Sequence, residues 1–400
     1  MINSLVNNLV DYPFERLRNL LNPIVPPSGE KQIALSIGEP QHSPPDLIQQ
    51  KIKKSNMLWG RYPPINGTDD FRSATHDWLN KRYSLEKSFI NQKQQILPVN
   101  GTREALFLAA ILAVENSQSK NKPAVLFPNP FYHVYSGAAT MTGADAITMP
   151  ATKETNFLPN LDTLNPKTME RAALMYLCSP ANPQGTIASA SYLKKAIRLA
   201  NQHDFILALD ECYSDIYDLK APVGGAEVCQ NMGNKLKNLI IFQSLSKRSN
   251  APGLRSGFVV GDENLIQKFK RLRSYGGATM PLPIMDASCA LWRDEKHVEK
   301  NRNLYRQKFD LAEKLLKDKF DFKRPPGGFF LWLNVSNIGS GEEVAKKLWA
   351  EAGLKVLPGS YLSRDEPDGS NPGNNYIRVA LVNPIEITKE ALEKILRVLR

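Results

Sequence analysis

Short, wholly apolar runs recur along the middle of this chain, separated by amphipathic stretches, and that alternation limits the fold more than any other feature. The runs 172–178, 205–209, 239–243 and 257–260 carry almost no polar residues, and 124–127 is a fifth. Runs of this length without polar alternation read as strands buried on both faces. Between them lie helical patterns, such as 192–200, and a mostly apolar helix expected over 102–116. Breakers punctuate the series: Pro128-Asn129-Pro130 after one strand, Ser179-Pro-Ala-Asn-Pro-Gln-Gly185 after another. Strands alternating with helices predict an α/β layer around a mainly parallel sheet. Ligands of such sheets collect beyond the C-terminal strand ends.

The character changes after about residue 285. A charged helical stretch is expected over 286–319, then Pro325-Pro326-Gly327-Gly328 and a short strand at 329–333. We therefore expect a large α/β domain over 46–285 and a smaller α+β domain built from 286–400 and the Pro-rich segment 1–45. Two units suit 400 residues, too many for one simple core.

Composition removes several function classes. The net charge is +11, but the basic residues are scattered and interleaved with acids, as on solvated helix faces. No basic-aromatic module is present, so nucleic acid is not an expected partner. The longest apolar run, Ala105 to Val114, is too short to span a bilayer, and the N-terminus lacks the pattern of a secretory signal. Four cysteines without a CxxC pair argue against a disulfide scaffold or zinc ribbon, so no metal is expected and a reducing, cytoplasmic setting fits. Nucleotide loops and the HExxH and GxSxG motifs are absent from the sequence.

The richest segment is Ser244-Leu-Ser246-Lys247-Arg-Ser-Asn-Ala-Pro-Gly-Leu-Arg255-Ser-Gly257. A lysine follows directly on a strand end, serines flank it, and an arginine comes eight residues later. The string resembles the Schiff-base lysine segment of the class I, fold-type I pyridoxal-phosphate aminotransferases. That resemblance implies the fold-type I architecture, pyridoxal 5'-phosphate bonded to Lys247, and Ser244, Ser246 and Arg255 around its phosphate. It extends to further segments in the family's order. Asp210-Glu-Cys-Tyr213 would pair Asp210 with the ring nitrogen, where a buried carboxylate stabilises the pyridinium, and set the Tyr213 hydroxyl on the ring oxygen. Asn182 of Asn-Pro-Gln-Gly185 would bond that same oxygen. Asn100-Gly101-Thr102-Arg103 opens a helix whose first amides suit a phosphate. Tyr132 would stack on the ring, with Phe131 as competitor. Gly38 and Arg378 would meet the substrate α-carboxylate, and Tyr62 would reach the phosphate of a neighbouring subunit, implying a homodimer with shared sites.

Four stretches, Tyr12-Pro-Phe-Glu-Arg-Leu-Arg, Leu35-Ser-Ile-Gly-Glu-Pro-Gln-His, Leu97-Pro-Val-Asn-Gly-Thr-Arg-Glu-Ala-Leu-Phe and Ser246-Lys-Arg-Ser-Asn-Ala-Pro-Gly-Leu-Arg-Ser-Gly-Phe, look similar to the succinyldiaminopimelate aminotransferases of bacterial lysine and diaminopimelate synthesis. That likeness implies glutamate as donor and N-succinyl-2-amino-6-oxopimelate as acceptor, with the distal part of the acceptor expected near Tyr12. An aspartate-type aminotransferase is the alternative, and a pyridoxal-phosphate carbon–sulfur lyase would use the same core motifs. A DNA-binding regulator of this type needs a module ahead of the domain, and only about 35 residues precede Ser36-Ile-Gly38.

Overall fold

The computed structural model describes residues 2–115 and 122–400. In chain order the strands are β1 (Ile33–Ala34), β2 (Ile96–Val99), β3 (Ala124–Asn129), β4 (Asp145–Pro150), β5 (Ala172–Cys178), β6 (Ile206–Asp210), β7 (Leu239–Ser244), β8 (Gly257–Gly261), β9 (Phe330–Asn334), β10 (Leu354–Lys355), β11 (Leu357–Pro358) and β12 (Tyr376–Ala380). Seven of them form one sheet in the order β2-β8-β7-β6-β5-β3-β4, in which only β8 runs against its neighbours. Each expected strand is present, but two are shifted by one residue, so that Phe205 and Phe329 lie just before theirs, and others extend by one or two residues. Both sheet faces are covered. Leu207, Leu209, Leu239 and Ile241 enter one apolar core, while Ala208, Ile240 and Phe242 enter the other. This is the reason the strands lack polar alternation.

The registers gather the motifs singled out above at one sheet end. Cys178 pairs with Asp210, Asp210 with Phe242, and Ser244 with Gly257, which also pairs with Val99. Asp210, Ser244, Gly101 and Arg255, far apart in sequence, therefore emerge side by side.

A second core is built from the C-terminal part. β11-β12-β9 form an antiparallel sheet, covered by the helices Lys296–Leu316, Gly341–Ala352 and Ile385–Val398. β1 pairs in parallel with β10, and the helix Pro13–Leu21 buries Leu17 and Leu21 against Trp349 and Leu357. The segment 1–45 is thus mostly tied to this unit, but its first turn, Ser4–Asn8, packs on the helix His133–Met141 of the large layer.

Two expected helices differ. The first runs Thr102–Ala113, and Val114 is already extended; residue 116 lies outside the described residues. The charged stretch is two helices, Leu282–Arg293 and Lys296–Leu316. Asp294 separates them in an extended conformation, and its carboxylate caps the second by accepting from His297 N at 3.1 Å. Met285, Cys289, Leu291 and Trp292 belong to the core under the large sheet. The expected division after residue 285 therefore falls inside a helix of the large layer.

Candidate active site

At the convergent sheet end lies a cavity of about 630 Å³. Tyr12, Gly38, Thr102, Arg103, Tyr132, Asn182, Asp210, Tyr213, Ser244, Ser246, Lys247, Arg255 and Arg378 line it. Gly101 stands just behind the wall, at φ 74°, where an added Cβ would overlap the Arg255 guanidinium. Tyr62 is the exception. It does not line this cavity and is fully exposed.

The floor is anionic. Asp210 ends β6 and is 5% exposed. Its carboxylate accepts from Tyr135 Oη at 2.8 Å and from Cys212 N at 3.2 Å. Burial raises its proton affinity, and these two donors oppose the rise. Tyr135 is itself stacked on Tyr176, ring centroids 4.5 Å apart, so the donor is rigid. Tyr135 was not singled out by the sequence reading. Its spacing from Tyr132, three residues at a helix start, was the available signal.

One wall is a donor cradle. Ser244 Oγ caps the short helix Leu245–Arg248 by accepting from Ser246 N at 3.1 Å, and it donates to Ser246 Oγ at 3.0 Å. Arg255 adopts the left-handed conformation at φ 52° and donates to Pro252 O and Asn100 O, which holds its guanidinium beside Gly101. The first amides of the helix Thr102–Ala113 open toward the same space. Thr102 Oγ1 lies 3.0 Å from Cys212 Sγ, so this hydroxyl is already engaged with a neighbour.

Lys247 hangs over the cavity with Nζ donating to Gly38 O at 2.5 Å and 5.4 Å from the Phe329 ring centroid. Burial pulls its pKa down to about 8. Its amine therefore exchanges a proton more readily than an exposed lysine. Opposite, Arg378 is 4% exposed, donates to Asn182 Oδ1 at 3.0 Å and Ser36 O at 2.6 Å, and lies 4.2 Å over the Phe330 ring. Burial lowers it to about 10, still protonated near neutrality. Its Nε has no partner among the described residues. Asn182 Oδ1 accepts from Arg378, which leaves its amide N–H groups free of that contact. A Cβ on Gly38 would stand 2.5 Å from Phe330 Cζ, so glycine lets this irregular segment pass close over the ring on which Arg378 lies.

The mouth carries a second guanidinium. Arg103 donates to Tyr132 Oη at 2.8 Å and Tyr12 Oη at 2.7 Å. His133 packs edge-on against Tyr12 at 4.0 Å, and burial, then Arg103 and Arg378, drive it down to about 3, so its ring is neutral.

The fold and this cavity define a class. A family profile described as "Aminotransferase class I and II" matches residues 30–395, and the chain belongs to that family. Its cofactor is pyridoxal 5'-phosphate. The donor set suits that group: a glycine cradle with a guanidinium for a phosphate, a buried carboxylate for a cationic ring nitrogen, and an amine of lowered basicity between them. Among solved structures, an aminotransferase from Neisseria meningitidis Z2491 is 38% identical, covers 100% of both chains and superposes with a TM-score of 0.95. Aminotransferase AspB from Helicobacter pylori 26695 is 37% identical over 96% of this chain and 97% of that one, TM-score 0.87. Among curated proteins, LL-diaminopimelate aminotransferases from Aquifex aeolicus and Dehalococcoides mccartyi are 29% and 28% identical, each over 92% of this chain and 91% of theirs.

Proposed function

We propose that this aminotransferase moves the amino group of glutamate to N-succinyl-2-amino-6-oxopimelate, giving N-succinyl-LL-diaminopimelate and 2-oxoglutarate, in the cytoplasm and as a homodimer. The observation that carries the reading is the pair of guanidiniums, Arg378 buried inside and Arg103 at the mouth, with Tyr12 and neutral His133 between them. Two cationic groups match a substrate with carboxylates at both ends. An acylated distal nitrogen brings no positive charge toward Arg103, whereas a free ammonium would be repelled there. The names of the curated relatives favour a second reading, LL-diaminopimelate itself as amino donor.

The proposal assigns these roles. Gly101, Thr102, Ser244, Ser246 and Arg255 would hold the cofactor phosphate, and Tyr132 would cover the ring. Asp210 would keep the ring nitrogen protonated, while Tyr213 and Asn182 would donate to the ring oxygen. The bound cofactor supplies the electron sink that makes the substrate α-hydrogen acidic. Lys247 would hold the cofactor at rest, and its amine would carry the proton between the substrate α-carbon and the adjacent position. Arg378 would grip the α-carboxylate through a two-bond fork, which would orient the reacting carbon toward that amine. Tyr62, exposed on its own chain, reaches the phosphate of the second subunit. Four free cysteines accord with a reducing compartment.

A panel of amino donors and oxo acids with the purified protein tests the reading. It should include the succinylated oxo acid, unacylated LL-diaminopimelate, oxaloacetate and a cysteine thioether. Turnover of unacylated LL-diaminopimelate in preference to the succinylated pair favours the second reading. Release of pyruvate from the thioether would replace both.

A further inference from the structure

A buried polar chain behind the cavity is not used by the roles above. Lys308, in the helix Lys296–Leu316, is 1% exposed. Its Nζ meets His42 Nε2 at 2.7 Å and Leu381 O at 3.0 Å. His42 Nδ1 meets Asn301 Oδ1 at 2.8 Å. Asn301 Nδ2 donates to Lys247 O at 3.2 Å and Arg248 O at 3.4 Å. The roles in this chain are forced one by one. Asn301 spends its N–H groups on main-chain carbonyls, so Oδ1 accepts and His42 Nδ1 carries the hydrogen. His42 Nε2 is then an acceptor, and Lys308 donates. Tyr305 lies tilted beside His42, ring centroids 4.7 Å apart, and stacks on Phe329, the ring beneath Lys247 Nζ.

The far end of this chain is the backbone of the cofactor lysine. The helix Leu245–Arg248 has four residues, too few to be stable alone, and its last carbonyls have no partners within the helix. Asn301 supplies those partners. Four residues before His42, Gly38 accepts from Lys247 Nζ, and two before that Ser36 accepts from Arg378. One strap, residues 36–42, thus meets Lys247 at its amine directly and at its carbonyl through Asn301.

We propose that His42, Asn301 and Lys308 are positioning residues for Lys247: Lys308 sets the His42 tautomer, His42 sets the Asn301 amide, and Asn301 anchors the lysine main chain, so that the strap over the substrate and the reacting amine move as one body. The proposal rests on the assignment of Lys247 as cofactor lysine. Its effect is on the reacting geometry and leaves carboxylate binding to Arg378.

The test uses holoenzymes of Asn301→Ala, His42→Leu and His42→Gln, the last keeping an amide N–H for Asn301. Stopped-flow mixing with glutamate separates rate from affinity, and a pH titration of the cofactor–lysine absorbance band reports the linkage without turnover. Asn301→Ala and His42→Leu should each slow the half-reaction about tenfold at saturation, with the glutamate dissociation constant within about twofold of wild type. Both should move the band's titration midpoint in the same direction by roughly half a pH unit or more. His42→Gln should recover to within about threefold of the wild-type rate. A wild-type midpoint and rate in both the Ala and Leu variants overturns the proposal. So does a parallel loss of rate and affinity with Gln no better than Leu, which marks general loosening. If Asn301→Ala does not accumulate, the Gln–Leu comparison decides alone. Lys247→Ala serves as control: if it keeps the band, the assignment of Lys247 fails instead.

Discussion

Replacing Arg378 by lysine separates charge from geometry at the α-carboxylate. The guanidinium meets Asn182 Oδ1 and Ser36 O, and its buried Nε has no partner among the described residues. A lysine reaches the same region with one point charge and no fork. One charge-assisted bond to the substrate is lost, worth about 1.5–3 kcal/mol, and a buried acceptor at Asn182 or Ser36 goes unpaired at about 1 kcal/mol more. The combined loss of about 2.5–4 kcal/mol is roughly 10²- to 10³-fold in kcat/KM. Glutamate and every α-oxo acid should lose alike, since all present the same carboxylate.

The variant should also acquire a pH dependence. Burial lowers the native arginine only to about 10, so it stays charged throughout the working range. The same burial pulls Lys247 to about 8 and Lys308 to about 7. A lysine at 378 enters that environment and should deprotonate in the same region. Its protonated form is the one that binds carboxylate, so binding should hold at low pH and fade as pH rises through its pKa. Steady-state KM for glutamate, measured from roughly pH 6 to 9, should climb toward alkaline pH in the variant beyond the wild-type trend. A loss confined to one substrate would place Arg378 in a side-chain pocket, and a KM that tracks wild type across the range would refute the burial argument.

Other perturbations test the remaining roles. Lys247→Ala should abolish turnover and the cofactor–lysine absorbance band while phosphate-anchored cofactor can remain; a persisting band would remove the lysine from its role. Tyr135→Phe keeps the ring stacked on Tyr176 but withdraws a donor from the Asp210 carboxylate; with about 1–3 kcal/mol at stake it should slow turnover roughly 5- to 100-fold, and a wild-type rate would show that Asp210 does not need it. Gly101→Ala drives a Cβ into Arg255 and should weaken cofactor retention on dialysis far more than it lowers the melting temperature. Hybrid dimers of Tyr62→Phe and Lys247→Ala chains should exceed the activity of either parent dimer, and hybrids no better than the parents would speak against shared sites.

How much of this was legible in the sequence depended on distance along the chain. The segment from Ser244 to Gly257 declares itself because a strand end, a four-residue helix and a left-handed arginine are all local, and their spacing survives in the string. Asp210 was legible because it closes a buried strand. Tyr135 on Asp210 was not, because that contact spans 75 residues and depends on where β3 falls in the sheet order. The His42–Asn301 bond spans 259 residues and ties an irregular N-terminal segment to a C-terminal helix. Periodicity says which face a side chain takes, not which distant strand or helix lies opposite it. The break at Asp294 was hidden for another reason. Helix-compatible residues run through 286–319 without Gly or Pro, and only the cap geometry shows that one helix ends at Asp294 and that its carboxylate caps the next.

Burial moves the two principal groups of the site toward neutrality from opposite sides, and this links cofactor binding to stability. It lowers Lys247 and raises Asp210. Among the described residues the hydrogen-bond donors to Asp210 are neutral, the Tyr135 hydroxyl and the Cys212 amide and thiol, and Lys247 acts on it only through space. A buried carboxylate without a cation in contact is costly, by several kcal/mol in real proteins. In the proposed roles a protonated ring nitrogen would supply that cation, and the cradle of Gly101, Ser244 and Arg255 the far anchor. On that proposal the cofactor would bind most tightly in the protonation state that transamination requires, because a ring cation would satisfy the same carboxylate that is expensive to bury.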